Sequence, residues 1–242
     1  MDGIIPYCGP APVPSTLWGA WNLDAVALAV TFAPLAALLL WRLKRVPAGL
    51  ASFGLALAFI SPLCALTVAL FSARGLHHLV LLLGVAPALA AMLPRLPSQG
   101  WAGAGFALTS VFLWLWHLPA VYTLAWNSAV FYWVMQAGFI LSATLFWAGI
   151  LRAEARAGDA IPLGAAAQML GLAGQMGLIG ALLTFAPRPL YEQHLSLTPA
   201  FGLDPLADQQ LAGLIMWVPG MLPLAVMAGL MLWRGWRKVA IA

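Results

Sequence analysis

The chain is 242 residues long, with 63% hydrophobic and 7% charged residues, whereas a soluble domain carries roughly 25% charged residues. That balance excludes a soluble domain and identifies an integral membrane protein. The formal net charge of +4 reflects where the loop charges lie across a bilayer and does not point to nucleic acid as a partner.

A spanning helix needs about 20 mostly apolar residues. The sequence predicts seven, at about 23–41, 50–71, 76–93, 102–125, 128–151, 162–186 and 211–233. The runs are continuous blocks with no ten-residue alternating segments, so helices are expected, not a barrel. The expected fold is an all-α, seven-transmembrane-helix bundle forming one membrane domain over residues 1–242.

Residues 1–22 contain no Lys or Arg, so the charged start of a signal peptide is missing and the first helix is expected to be retained. Trp18 and Trp21 precede that helix as interface anchors. Cys8 lies in this segment and Cys64 in the second helix. A disulfide would require them to meet at the outer surface, and the reading favours two separate cysteines. Arg74 falls in the short connection before the third helix, where a salt bridge to Asp208 or Glu192 is its default, and His77 and His78 begin that helix. His117 lies about 15 residues into the fourth helix, two residues before Pro119. The fifth brings Tyr132 and Gln136 in its first turns. Gln168 and Gln175 in the sixth should pair across helices, since unpaired polar groups are costly in a membrane. Tyr191 and His194 sit in the loop from about Pro187 to Gln210. The seventh helix follows Asp208 and Gln209, with Met216 two turns further in.

Nine of the eleven basic residues fall on one side of this topology: Arg42, Lys44, Arg45, Arg95, Arg152, Arg156, Arg234, Arg237 and Lys238. Short cytoplasmic loops retain Lys and Arg, so the N-terminus is expected outside and the C-terminus in the cytoplasm. All four histidines then arrive at the outer end. Imidazole, thioether and carboxylate suit copper, and imidazole also serves zinc and iron. Neighbours on a helix point about 100° apart, so His78 pairs with His117 more readily than with His77. Asp208 is divided between a ligand and an N-terminal cap of its own helix. No CxxC, HExxH, phosphate-binding glycine loop or Ser/His/Asp pattern occurs, so no enzyme is expected.

Several segments together resemble one family. They are Trp18-Gly-Ala-Trp-Asn22, Ser72-Ala-Arg-Gly-Leu-His-His-Leu79, Trp114-Leu-Trp-His-Leu-Pro119 with Tyr122, Leu145-Phe-Trp147, Pro189-Leu-Tyr191, and Leu206-Ala-Asp-Gln-Gln-Leu-Ala-Gly-Leu-Ile-Met-Trp217. The chain resembles the CtaG family, associated with assembly of caa3-type cytochrome c oxidases. The resemblance implies a multi-pass protein of the bacterial inner membrane that aids copper delivery to the catalytic subunit of a haem-copper oxidase. Its implied partners are that subunit, a periplasmic copper chaperone and membrane lipids. The implied metal residues are His78, His117 and Asp208, then His77 and Met216, supported by Gln209, Arg74, Tyr132, Gln136, Tyr191 and His194. The family pattern carries histidines where this chain has Arg74, and near Tyr132 and Gln136. Competing readings are a haem-binding or redox membrane subunit, a copper or solute transporter, and a scaffold for oxidase subunits.

Overall fold

The computed structural model describes residues 5–41, 44–93, 100–156 and 162–241. Asp2, Arg42 and Arg95 lie outside the described residues, as do the side chains of Arg156 and Lys238. Among the described residues every regular element is helical. Helix α1 covers Ala25–Trp41. Helix α2, Arg45–Leu55, runs through a π-helical stretch, Ala56–Ile60, to Ser61, which caps α3, Pro62–Ala69, by accepting from the Leu63 amide. Helices α4, Phe71–Leu79, and α5, Ala86–Met92, are joined by a second π-helical stretch, Val80–Val85. Then come α6, Gly100–Trp116, α7, Pro119–Asn127, α8, Ala129–Arg156, and α9, Leu163–Phe185. The last helices are α10, Pro205–Ile215, and α11, Met221–Ile241, with a π-helical stretch, Met216–Gly220, between them.

Four of these helical runs are long and apolar enough to cross a membrane, and each of two bent pairs adds one more if counted as a span. Helix α1 is apolar but shorter. The bends follow from proline. Pro62 and Pro119 occupy first helical positions, where a missing N–H costs nothing, and the chain turns there by 44° and 79°. The fourth helix, expected as one span over 102–125, is therefore two helices, with His117 and Leu118 at the corner. The expected connection before the third helix is helical too. Leu70 is extended (φ −123°, ψ 130°), and α4 begins at the next residue. Arg74 thus lies inside a helix, buried, with no carboxylate ion pair among the described residues, in place of the expected interfacial salt bridge.

Packing relies on close backbone approach. A Cβ on Gly180 of α9 would sit 2.7 Å from the Gly213 carbonyl oxygen of α10, and one on Gly213 would meet the Gly180 carbonyl in return. Small residues at such crossings are how membrane helices gain van der Waals contact. Cys8 and Cys64 form a disulfide, against the expectation of separate cysteines. The physical reason is that α3 rises beside the segment before α1, where the Asn22 amide donates to the Ile60 carbonyl (2.9 Å). At the other end of the bundle Arg234 and Glu154 make an exposed 3.4 Å ion pair, of the kind that contributes little to stability.

Candidate functional site

The site is built at the start of α4. The extended Leu70 separates α3 from α4 and leaves the first amides of α4 without intrahelical acceptors. Asp208, on the first turn of α10 and fully buried, supplies them. Its carboxylate accepts from the Phe71 amide (2.6 Å), the Ser72 amide (3.2 Å) and the Ser72 hydroxyl. The cap of its own helix is Asp204, which accepts from the Leu206 amide (2.9 Å) and the Ala207 amide. Asp208 therefore caps a different helix from the one expected, and α10 starts six residues before the predicted span. Gln209 beside it accepts from the Leu190 amide (2.6 Å) and donates to the Leu183 carbonyl (3.3 Å), which ties the loop after α9 to α10.

That loop folds back over the site. The Tyr191 ring stacks on Phe71 at 3.8 Å between centroids, and its hydroxyl donates to the His117 carbonyl (3.0 Å). His194 is buried against Tyr122 and Trp126. Its Nδ1 faces the Ala69 carbonyl (3.4 Å), which can only accept, so Nε2 accepts from the Tyr122 hydroxyl (2.8 Å). Burial is the chief reason its pKa falls to about 4, because desolvation disfavours the imidazolium. Burial also raises the Tyr191 phenol.

One turn into α4 the accounting changes. His78 meets His117 with ring centroids 5.7 Å apart, and Trp116 and Phe139 flank it. His77 turns away toward Phe59 (5.3 Å), as the helical angle between neighbours requires. All four ring nitrogens of His77 and His78 are buried without a well-aligned hydrogen bond, His77 having the Ala58 carbonyl beside it and His78 no such neighbour. The Nδ1 of His117 donates to the Leu113 carbonyl (2.6 Å), which leaves its Nε2 lone pair bare. Fixing one ring nitrogen on a backbone carbonyl is how a metal-ligating histidine is usually oriented. Met216 is buried in the π-helical stretch that packs on α4 and α9. Gln136 is fully buried with both amide atoms outside any geometric hydrogen bond.

The structure thus brings His78 and His117 together and directs Asp208, Gln209, Tyr191 and His194 into holding the surrounding chain. Among the described residues no group of three or more His, Cys, Asp or Glu converges to hold a metal. Sequence reasoning missed Ser72 and Phe71 as the partners of Asp208, and Trp116 as a wall beside His78. The only available signal was that Ser72 and Trp116 fall inside the two histidine-bearing motifs.

Comparison with known proteins identifies the family. The model of the cytochrome c oxidase caa3 assembly factor matches residues 40–238, and the chain belongs to that family. No curated protein and no solved structure matches it.

Proposed function

We propose that this caa3 oxidase assembly factor takes copper as its substrate at the His78–His117 pair and passes it to the catalytic subunit of a haem-copper oxidase. The observation that carries the reading is the set of orphaned ring nitrogens on His78, next to the bare Nε2 of His117. Buried polar atoms are nearly always satisfied, and those that are not call for an ion, a water or a function. Neutral imidazole nitrogens are good copper donors, and a buried thioether such as Met216 favours Cu(I). Two imidazoles make an under-coordinated site, from which a metal can be handed on. His117 lies at the α6–α7 corner and is only partly buried, so it forms the accessible side of the pair.

In this reading His78 and His117 are the ligands, Met216 is a further donor for the same cargo, and His77, turned toward Phe59, takes no part in the pair. Asp208 contributes by holding the start of α4, which sets the position of His78. The bundle crosses the bacterial inner membrane seven times, with α1 and the two bent pairs counted as spans. The N-terminus and the site are periplasmic and the C-terminus is cytoplasmic, which follows from the Lys and Arg bias. A periplasmic copper chaperone supplies the metal.

The test is copper analysis and Cu(I) titration of detergent-purified protein, wild type beside the His78→Ala, His117→Ala double variant, with the copper content of the oxidase assembled in each background. Copper near stoichiometric in the wild type, lost in the variant together with oxidase copper, is the expected result. No copper in the wild type and a normally metallated oxidase in the variant background would overturn delivery and leave a scaffold. A haem absorption band in the same sample would favour the haem-subunit reading.

A further inference from the structure

Arg74 projects from α4 into a cavity of about 10 Å³ whose lining includes Tyr7, Cys8, Trp116, Tyr122 and Tyr132. The residue is 4% exposed, and its Nε and Nη1 make no well-aligned hydrogen bond, the neutral hydroxyls of Tyr122 and Tyr132 being the acceptors beside the guanidinium. The guanidinium carbon lies 5.7 Å from the Trp116 ring, 5.9 Å from Tyr122 and 5.7 Å from Tyr132. Trp116 also has its indole N–H buried and unpaired. No carboxylate among the described residues forms an ion pair with Arg74.

This is an aromatic box around a positive charge that no carboxylate among the described residues pairs. Each aromatic face offsets about 0.5–2 kcal/mol, while withdrawing a charge from water costs several kcal/mol even after relaxation. What the site lacks is a negative acceptor, and the cavity sets its size. A volume of about 10 Å³ admits one occupant close to a water in size, so a halide seats only if the lining gives slightly, and carboxylates, phosphate and sulfate are too large. The charge and the unpaired N–H groups exclude a cation. A water molecule would fit but would leave the guanidinium uncompensated.

We propose that the Arg74 cavity is a binding site for a single-atom anion, chloride, held by the Arg74 Nε–H and Nη1–H with the Trp116 indole N–H. The site is roofed by the segment around Tyr7 and Cys8, which is fixed by the Cys8–Cys64 disulfide and by Tyr7 stacking on Tyr132 at 5.0 Å. The proposal requires nothing of the copper reading.

The experiment uses the full-length protein purified into sodium gluconate and titrated with chloride or bromide at constant ionic strength, with sulfate as the control. The melting temperature should rise saturably with chloride and bromide, by about 5–10 °C at a hundredfold excess over Kd, and sulfate should have no effect. Trp116→Phe, which keeps the ring and removes the N–H, should raise the half-saturating chloride concentration about tenfold. Arg74→Gln should abolish the chloride response. Should Arg74→Gln fail to fold, an anomalous bromide peak beside Arg74 in wild-type crystals decides the matter. Equal melting temperatures in chloride and gluconate, with no bromide peak, would overturn the site and leave a water in the cavity.

Discussion

The first turn of α4 and the turn that follows it are built from equally buried polar groups, and they differ in one respect. At Phe71 and Ser72 every donor meets the Asp208 carboxylate. At Arg74, His77 and His78, further along the helix, nitrogens make no well-aligned hydrogen bond, and Arg74 rests on aromatic rings instead. A buried group that the chain satisfies holds the fold together, whereas one left unsatisfied lowers stability until something from outside completes it. The boundary between satisfied and unsatisfied polar groups therefore runs across a single helix, between Ser72 and Arg74.

The largest expected effect breaks the satisfied half. Asp208→Ala leaves three buried donors without an acceptor and should cost about 4 kcal/mol, read as a shift in the denaturant unfolding midpoint. A loss under about 1 kcal/mol would erase the contrast between the two turns. Next comes His194, which holds the loop over both. Its folded pKa of about 4 lies below the unfolded value of roughly 6.5, so the unfolded chain binds more protons between them. Its contribution is full above about pH 6.5 and should be lost as pH falls toward 4, amounting to about 3 kcal/mol. Melting temperatures across that range should show the loss in the wild type and not in His194→Phe. Removing the disulfide with Cys8→Ser and Cys64→Ser should cost about 2 kcal/mol, and chemical denaturation with and without reductant measures it. The smallest effect sharpens the unsatisfied half. His77→Leu replaces an orphaned imidazole with an apolar group and should change stability by less than about 1 kcal/mol. A loss as large as that of Asp208→Ala would show His77 to be a structural group after all.

Much of the helical content was legible because long apolar runs carry their own signal. Helix α8 begins within one residue of its predicted start and α9 within one residue of both predicted limits. The Leu70 break was not legible, because it contains neither Gly nor Pro and is stabilised by a carboxylate 137 residues away. The bend at Pro119 was visible as a proline but not as a 79° turn, since proline alone can kink or end a helix. Of the site, the His78–His117 pairing followed from helical geometry. The burial of Arg74 among aromatic rings without a carboxylate did not, because it is a property of three-dimensional packing. The motif around Asp208 was readable as a signature, but its work is holding the chain: Asp208 caps α4, Gln209 anchors the loop and Gly213 crosses Gly180.

The clasp between Phe71 and Asp208 also sets a timetable. During synthesis the histidine-bearing helix enters the membrane long before residue 208 leaves the ribosome, and until then its first turn has no cap. Helix α4 can take up its final position only when the last span arrives. A chain truncated before α10 would keep most of its helices and still leave the first turn of α4 uncapped and the His78–His117 pair unfixed.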